Sequence, residues 1–246
     1  MPVHHESSRP PAAASRLLPA DRNEGFSVAP LTDNCRRVYE QGRHLVIGIS
    51  HGNSYFSVSL LTRMLRWSRS KFDRIDVVVP DDAFRENLSV LGYSPEYAER
   101  KSRQESNAIR NRVVRAAAAA DVPVSAEMRV HLLSGLLDNP VYRALRRDAE
   151  EALHADVELL ESCLHMSRRA LWSSLRGKTP TEEQVRSGAR YPLAELPFFL
   201  GSADIFQVPS SLCFYHKPIP LADALFRKRT SLAPSMRQGY AIIQPS

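Results

Sequence analysis

The stretch His44-Leu45-Val46-Ile47-Gly48-Ile49-Ser50-His51-Gly52-Asn53 decides how this chain is read. From His44 to Ile49 runs a short, continuous apolar segment rich in β-branched residues, the pattern of a buried, parallel strand. Ser50 to Gly52 reads as a small turn, and a helix is expected to follow at once over Asn53 to Trp67. There Phe56, Leu60, Leu61, Met64 and Leu65 recur at helical spacing. Phe72 to Val79, with Ile75, Val77, Val78 and Val79, reads as a second buried strand. Strand, helix and strand make a right-handed βαβ unit.

Working outward, Asn34 to Gln41 reads as a short helix, and Ser94-Pro95 as a cap and first-turn proline opening a helix to about Ala120. Val130 to Leu133 reads as a third strand. Asn139-Pro140 opens a second long helix, expected to run to about Leu175. Gly177 to Gly188 reads as a polar link and Tyr191 to Phe199 as a short apolar helix. Leu212 to His216 and Gly239 to Ile243 read as the last strands. Alternating strands and helices predict one α/β domain with a parallel sheet flanked by helices over residues 31–246. Residues 1–30, with Pro2, Pro10, Pro11, Pro19 and Pro30 and an alanine run, read as a disordered tail.

The chain has 246 residues, 33 basic against 27 acidic side chains and a net charge of +6. That balance excludes whole-chain disorder, collagen and coiled coil. No apolar run approaches the roughly 20 residues that span a bilayer, and the N-terminus has no apolar core of a secretory signal. Three isolated cysteines, Cys35, Cys163 and Cys213, suit a reducing compartment, so a cytoplasmic monomer is the expectation.

Four groups of residues carry the chemistry. Gly48-Ile49-Ser50-His51-Gly52 places a serine where a strand of an open α/β sheet ends, the end at which such sheets bind ligands. Ser50 reads either as a nucleophile near the N–H groups of the next helix or as that helix's cap. The same residues match the Gly-x-Ser-x-Gly elbow of α/β-hydrolases, and Asp204 and His216 follow in the order such a triad needs. An elbow after the first strand, however, leaves no upstream strand to complete an oxyanion hole. Tyr191 and Glu195 share a helix face at i and i+4 within an apolar segment. A carboxylate there needs a partner or a task, and an α-ammonium group would be a natural partner. Tyr215-His216 closes the apolar strand Leu212-Cys213-Phe214. Finally, Arg100, Lys101, Arg103, Arg110, Arg112 and Arg115 punctuate the helix after Pro95, a basic face suited to a phosphate backbone or simply to solvent.

Together these residues resemble the cyclodipeptide synthases. The resemblance spans about His44 to Ile243 and rests on Gly48 to Phe56, on Tyr191 with Glu195, and on Val208-Pro209-Ser210-Ser211 leading into Tyr215-His216. Asn53, Tyr215 and His216 match the subfamily named for Asn, Tyr and His. The resemblance implies a Rossmann-like domain similar to the catalytic domain of class I aminoacyl-tRNA synthetases of the tyrosine and tryptophan type. Neither His-Ile-Gly-His nor Lys-Met-Ser-Lys-Ser, the ATP-handling motifs of those enzymes, occurs here. The expected substrates are therefore two aminoacyl-tRNAs, with no cofactor and no metal.

By the same resemblance Ser50 attacks the first ester in a ping-pong reaction, and the amine of the second aminoacyl group attacks the enzyme ester to give a dipeptidyl-enzyme. The dipeptide then cyclises. Glu195 and Tyr191 hold the first α-amino group and Tyr215 positions Ser50. Asn53 and His216 brace the site, and Gly48 contacts the aminoacyl moiety. Val46, Val78, Phe198 and Cys213 line the first side-chain pocket, and the basic helix holds the first tRNA.

Overall fold

The computed structural model describes residues 21–23, 25–175 and 178–246. Seven strands form one sheet: β1 (Asp21–Asn23), β2 (Phe26–Pro30), β3 (His44–Gly48), β4 (Arg74–Val79), β5 (Met128–Leu132), β6 (Ser211–Tyr215) and β7 (Gln238–Pro245). Their order is β1-β2-β7-β6-β3-β4-β5. The five strands from β7 to β5 are parallel, as their β-branched runs predict. The other two differ from the expected all-parallel sheet, because β2 pairs antiparallel with β7 and β1 pairs antiparallel with β2.

The β2 pairing corrects the expected tail at its C-terminal end. Phe26 and Val28 alternate inward and are buried, so this segment has the apolar area to order itself. Pro30 is tolerated because the next residue makes the bond to β7, the Leu31 N–H donating to the Tyr240 carbonyl at 3.1 Å, so the Pro30 nitrogen faces away from that strand. Residues 1–20 lie outside the described residues.

Nine α-helices cover the described sheet. On one face, α2 (Val58–Arg69) packs with α4 (Pro95–Ala119) over the inward side chains Leu45, Ile47, Ile75 and Val77. On the other, α8 (Arg190–Ile205) lies across the sheet with α5 (Pro140–Leu153) and α3 (Asp81–Val90) against it. The helix after Ser50 starts later than the sequence suggests. Ser57 caps α2 by accepting from the Leu60 N–H at 3.2 Å, whereas Asn53 uses its side chain for a turn, its Oδ1 accepting from the Tyr55 N–H at 3.1 Å.

The expected helix 140–175 is two helices, α5 and α6 (Val157–Ser174). Asp156 stops the run by capping the second, accepting from the Leu159 N–H at 2.9 Å. The polar link contains α7 (Glu182–Gly188), held by a Thr181–Gln184 capping box. α8 runs past Phe199 and bends at Gly201. α1 (Asp33–Gln41) agrees with the sequence reading, while α3 and α9 (Pro220–Phe226) were not foreseen there. Among the described residues, no helix is long and apolar enough to cross a membrane.

Candidate active site

The strand order fixes where a ligand can bind. From β3 the chain builds β4 and β5 to one side, then returns to place β6 and β7 on the other. The crevice beyond the carboxyl ends of β3 and β6 is therefore a topological switch point, the binding place of open α/β sheets. Ser50 lies just past β3 and Tyr215 ends β6. Register brings them together, since Ile47 is opposite Phe214 and the two residues follow from that pair.

A cavity of about 890 Å³ opens there. Ser50, Asn53, Tyr191, Glu195 and Tyr215 all line it, as do the five residues expected to hold substrate: Gly48, Val46, Val78, Phe198 and Cys213. The floor is set by one row of the sheet, because Val46 pairs with Cys213 on one side and Asp76 on the other. Gly48, in the next row, leaves open space where a Cβ would stand. Gly52 turns the chain with φ of 69°, a conformation that glycine adopts without strain.

Three groups surround the Ser50 hydroxyl region. The Ile49 N–H extends the ladder onto the Val78 carbonyl at 3.0 Å and so holds the loop at the sheet edge. Asn53 Nδ2 donates to Ser50 Oγ at 3.4 Å. Tyr215 and Ser50 share a hydrogen bond between their hydroxyls. Burial raises the Tyr215 phenol, and the nearby Glu195 carboxylate raises it further. Tyr215 is therefore a neutral proton donor or relay at ordinary pH.

Glu195 is the unusual group. It is hydrogen-bonded to Tyr191, one turn earlier on α8. Burial pushes its carboxyl up to about 7, and the Tyr191 bond opposes that shift only in part. Among the described residues, no cation lies close enough to lower it. Burial, reinforced by Glu195, likewise holds the Tyr191 phenol well above its usual value. The groups that feel the Glu195 charge are three further phenols and a thiol, Tyr142, Tyr215, Tyr240 and Cys213, none of them a cation. The pair thus offers a cation two oxygen ligands in a poorly solvated place.

His216 goes elsewhere. Successive strand residues face opposite ways, and its ring stacks on Tyr55 at 4.2 Å and meets Phe56 edge-on at 5.9 Å. It does not line the cavity, and burial, with Lys217 adding to it, lowers it to about 4. Asp204 is ion-paired with Arg237. The triad order Ser50, Asp204, His216 is consequently not assembled. His51 lines the cavity but is clamped, stacked on Phe84 at 4.0 Å with Nε2 2.9 Å from Ser106 Oγ.

The basic helix α4 divides into roles. Lys101 lines the cavity and pairs with Glu105 at 2.6 Å, and Arg103 pairs with Glu99 at 3.1 Å. Arg112 turns inward and donates to the Phe56 carbonyl at 3.2 Å. Arg110 and Arg115 are exposed and make no ion pair with any described residue, and Arg100 lies over the Tyr97 ring at 5.4 Å.

Sequence reasoning missed a buried polar network beneath the cavity. Asp76 accepts from His44 at 2.8 Å, His131 at 2.8 Å and Arg74 at 2.7 Å. His44 Nδ1 lies 2.8 Å from Ser211 Oγ, which accepts from or donates to Ser202 Oγ at 2.7 Å. Ser202 donates in turn to Gln238 Oε1 at 2.6 Å. The Cys213 thiol, at the pocket floor, donates to the Phe198 carbonyl at 3.1 Å. The available signal was a histidine opening β3 and an aspartate inside the apolar run of β4. All three cysteines are buried and free. Among the described residues, no group of three His, Cys, Asp or Glu side chains is placed to hold a metal ion.

Residues 26–245 match the family model described as cyclodipeptide synthase. A cyclo(L-tyrosyl-L-tyrosyl) synthase of Mycobacterium tuberculosis is 36% identical over 233 residues, covering 94% of this chain and 80% of that one. A cyclo(L-leucyl-L-leucyl) synthase of Bacillus subtilis is 33% identical over 228 residues, covering 91% of each chain. A solved M. tuberculosis structure, described as demonstrating that cyclodipeptide synthetases are related to type I tRNA-synthetases, superposes with a TM-score of 0.82. It is 35% identical and covers 95% of this chain and 99% of its own. The fold is thus the Rossmann-like α/β domain of that group, and the chain belongs to the cyclodipeptide synthase family of enzymes.

Proposed function

We infer that this enzyme joins two amino acids, delivered as aminoacyl-tRNA esters, into a 2,5-diketopiperazine through aminoacyl- and dipeptidyl-Ser50 intermediates. The observation that carries this reading is Glu195, a buried carboxylate paired, among the described residues, only with the Tyr191 phenol and facing the same cavity as Ser50. An α-ammonium group is the cation such a site lacks.

In the first step Ser50 Oγ attacks the ester carbonyl, the bond to the terminal ribose breaks, and the serine proton passes by way of Tyr215 to the departing ribose oxygen. Asn53 orients Ser50 throughout. An ester needs less activation than an amide, so a strong base beside Ser50 is unnecessary. Bond counting then reverses one expectation from the sequence. Attack by the second amine on the enzyme ester would free Ser50 and leave the dipeptide on tRNA. To give a dipeptidyl-enzyme, the amine of the Ser50-bound residue must attack the second tRNA ester.

Glu195, already beside that amine, takes its proton, and the second tRNA leaves. The new terminal amine attacks the Ser50 ester, closes the ring and restores the Ser50 hydroxyl. Val46, Val78, Phe198 and Cys213 receive an uncharged, apolar first side chain. Arg100, Arg110 and Arg115 meet the tRNA phosphates, and His216 supports the Asn53 loop through Tyr55 and Phe56.

Mass spectrometry of culture medium from bacteria expressing the protein tests this, with Ser50→Ala beside the wild type. A diketopiperazine with the wild type and none with the variant is the expected result. No product from soluble wild type, together with fluorophosphonate labelling of Ser50, would replace the synthase by a serine hydrolase.

A further inference from the structure

Several large apolar side chains are exposed among the described residues, and the two aromatic ones line one cavity. Tyr93, on the loop before α4, is 47% exposed and Trp172, near the end of α6, is 54% exposed. Both line the active-site cavity. Neither ring is needed to fill the core, and they come from elements far apart in sequence. Tyr93 also starts a ladder. Its ring stacks on Tyr97 at 4.8 Å and 21°, and the Arg100 guanidinium caps Tyr97 at 5.4 Å. The stack therefore runs from the cavity wall onto the basic face of α4.

We propose that Tyr93, Tyr97 and Trp172 form a stacking platform for the unpaired 3′ end of an RNA, the strand that brings the aminoacyl ester to Ser50. This rests on the reading of charged RNA as substrate. Flat rings at the mouth of a cavity suit bases, because every base has a π face and stacking needs no particular sequence. The charge agrees. Arg169 and Lys217 also line the cavity, as does Arg168, which pairs with Glu182 at 3.1 Å; on α4 Glu105 is paired with Lys101 and Glu99 with Arg85 and Arg103, while Glu96 beside Tyr97 makes no ion pair with a described residue. Protein interfaces also use Tyr, Trp and Arg, but these rings line the cavity that holds Ser50, which a strand end carrying an ester must enter. In an enzyme that receives its amino acids already esterified, such a platform places the ester in the cavity without reading the duplex.

The test uses uncharged RNA, so it does not depend on the chemistry. An RNA hairpin with an unpaired 3′ overhang is compared with the same hairpin made blunt. Trp67 is buried, so quenching of intrinsic fluorescence reports Trp172. The overhang is expected to quench that emission and to bind roughly tenfold or more tightly than the blunt hairpin. Tyr93→Ala with Tyr97→Ala should remove the difference, while Tyr93→Phe with Tyr97→Phe should retain it. The tyrosine variants should leave the salt slope unchanged, whereas Arg100→Gln should reduce it.

Equal binding of blunt and overhanging hairpins, or wild-type binding by the Ala variants, overturns the platform. So does capture of a protein, with no discrimination between the hairpins. Product formation by the same preparations separates this from the preceding reading. Product with an indifferent overhang removes the platform alone. No product, with an overhang gripped through these rings, removes the synthase reading alone.

Discussion

Asp76 and Glu195 are both shielded carboxylates on the same face of the sheet, and they are treated in opposite ways. Asp76 receives His44, Arg74 and His131. Burial alone would raise its carboxyl, but the hydrogen bonds from His131 and His44 and the charge of Arg74 outweigh it and hold Asp76 well below the usual carboxylate range. Glu195 receives one phenol, and burial wins, pushing it up to about 7. The difference teaches how to tell a structural acid from a working one. A carboxylate whose valences are filled by the fold has nothing left to offer a substrate. One left short of a cation is an unfinished ion pair awaiting an ammonium group.

The largest effect should come from removing the charge that the fold leaves unpaired. Glu195→Gln should lower cyclic dipeptide formation by about 10²- to 10⁴-fold, the usual contribution of a positioned acid–base group. Its melting temperature should hold or rise, because a carboxylate without a cation is lost. Unfolding of the variant as readily as Asp76→Asn would make Glu195 structural and dissolve the contrast.

Asp76→Asn should do the reverse. Breaking a buried ionic cluster costs about 3–5 kcal/mol, and at this chain length that is roughly 10 °C in melting temperature. Product per folded molecule should stay within a few-fold, measured below the midpoint of unfolding.

The pH dependence should split the two by sign. Glu195 has its folded value raised from 4.5 to about 7. Between those values the folded protein keeps a proton that the unfolded chain has released, so this group's stability is present below 4.5 and is lost as pH rises through about 7. Asp76 has its folded value depressed from 3.8, so its contribution is present above 3.8 and is lost as pH falls toward the folded value. Denaturation midpoints from pH 3 to 8 should therefore lose the upper slope in Glu195→Gln and the lower slope in Asp76→Asn. The kcat/KM for the first aminoacyl-tRNA should also rise through about pH 7 in the wild type only.

The smallest effect should be at the surface. Arg103 is exposed and tied to Glu99, and exposed pairs are worth about 0.2–1 kcal/mol. Arg103→Gln should leave the melting temperature within a degree or two.

Much of this contrast could be read from the residues. Tyr191 and Glu195 at i and i+4 in an apolar segment already marked a carboxylate with a task, and Ser50 after a buried strand already marked a ligand-binding end. Strand identity followed from β-branched runs, and helix starts from Ser94-Pro95 and Asn139-Pro140. The reading failed where a side chain had two local uses. Asn53 reads as a helix start yet makes a turn, and Asp156 reads as helix interior yet caps α6. It failed again at Phe26–Pro30, where prolines suggested a tail and pairing with β7 supplied the order.

The sequence by itself therefore determined the strands of the parallel core and the helices with clear caps or apolar periods, and marked Glu195 as a polar residue in an apolar segment, because these depend on neighbours within a few positions. Only the tertiary structure decided which polar residues meet. His44, Asp76, His131 and Ser211 come from four different strands, and Ser50 meets Tyr215 only because β3 lies beside β6. Whether a buried carboxylate is satisfied or left waiting depends on partners many residues away. That is a property of strand order and register, which local spacing does not encode.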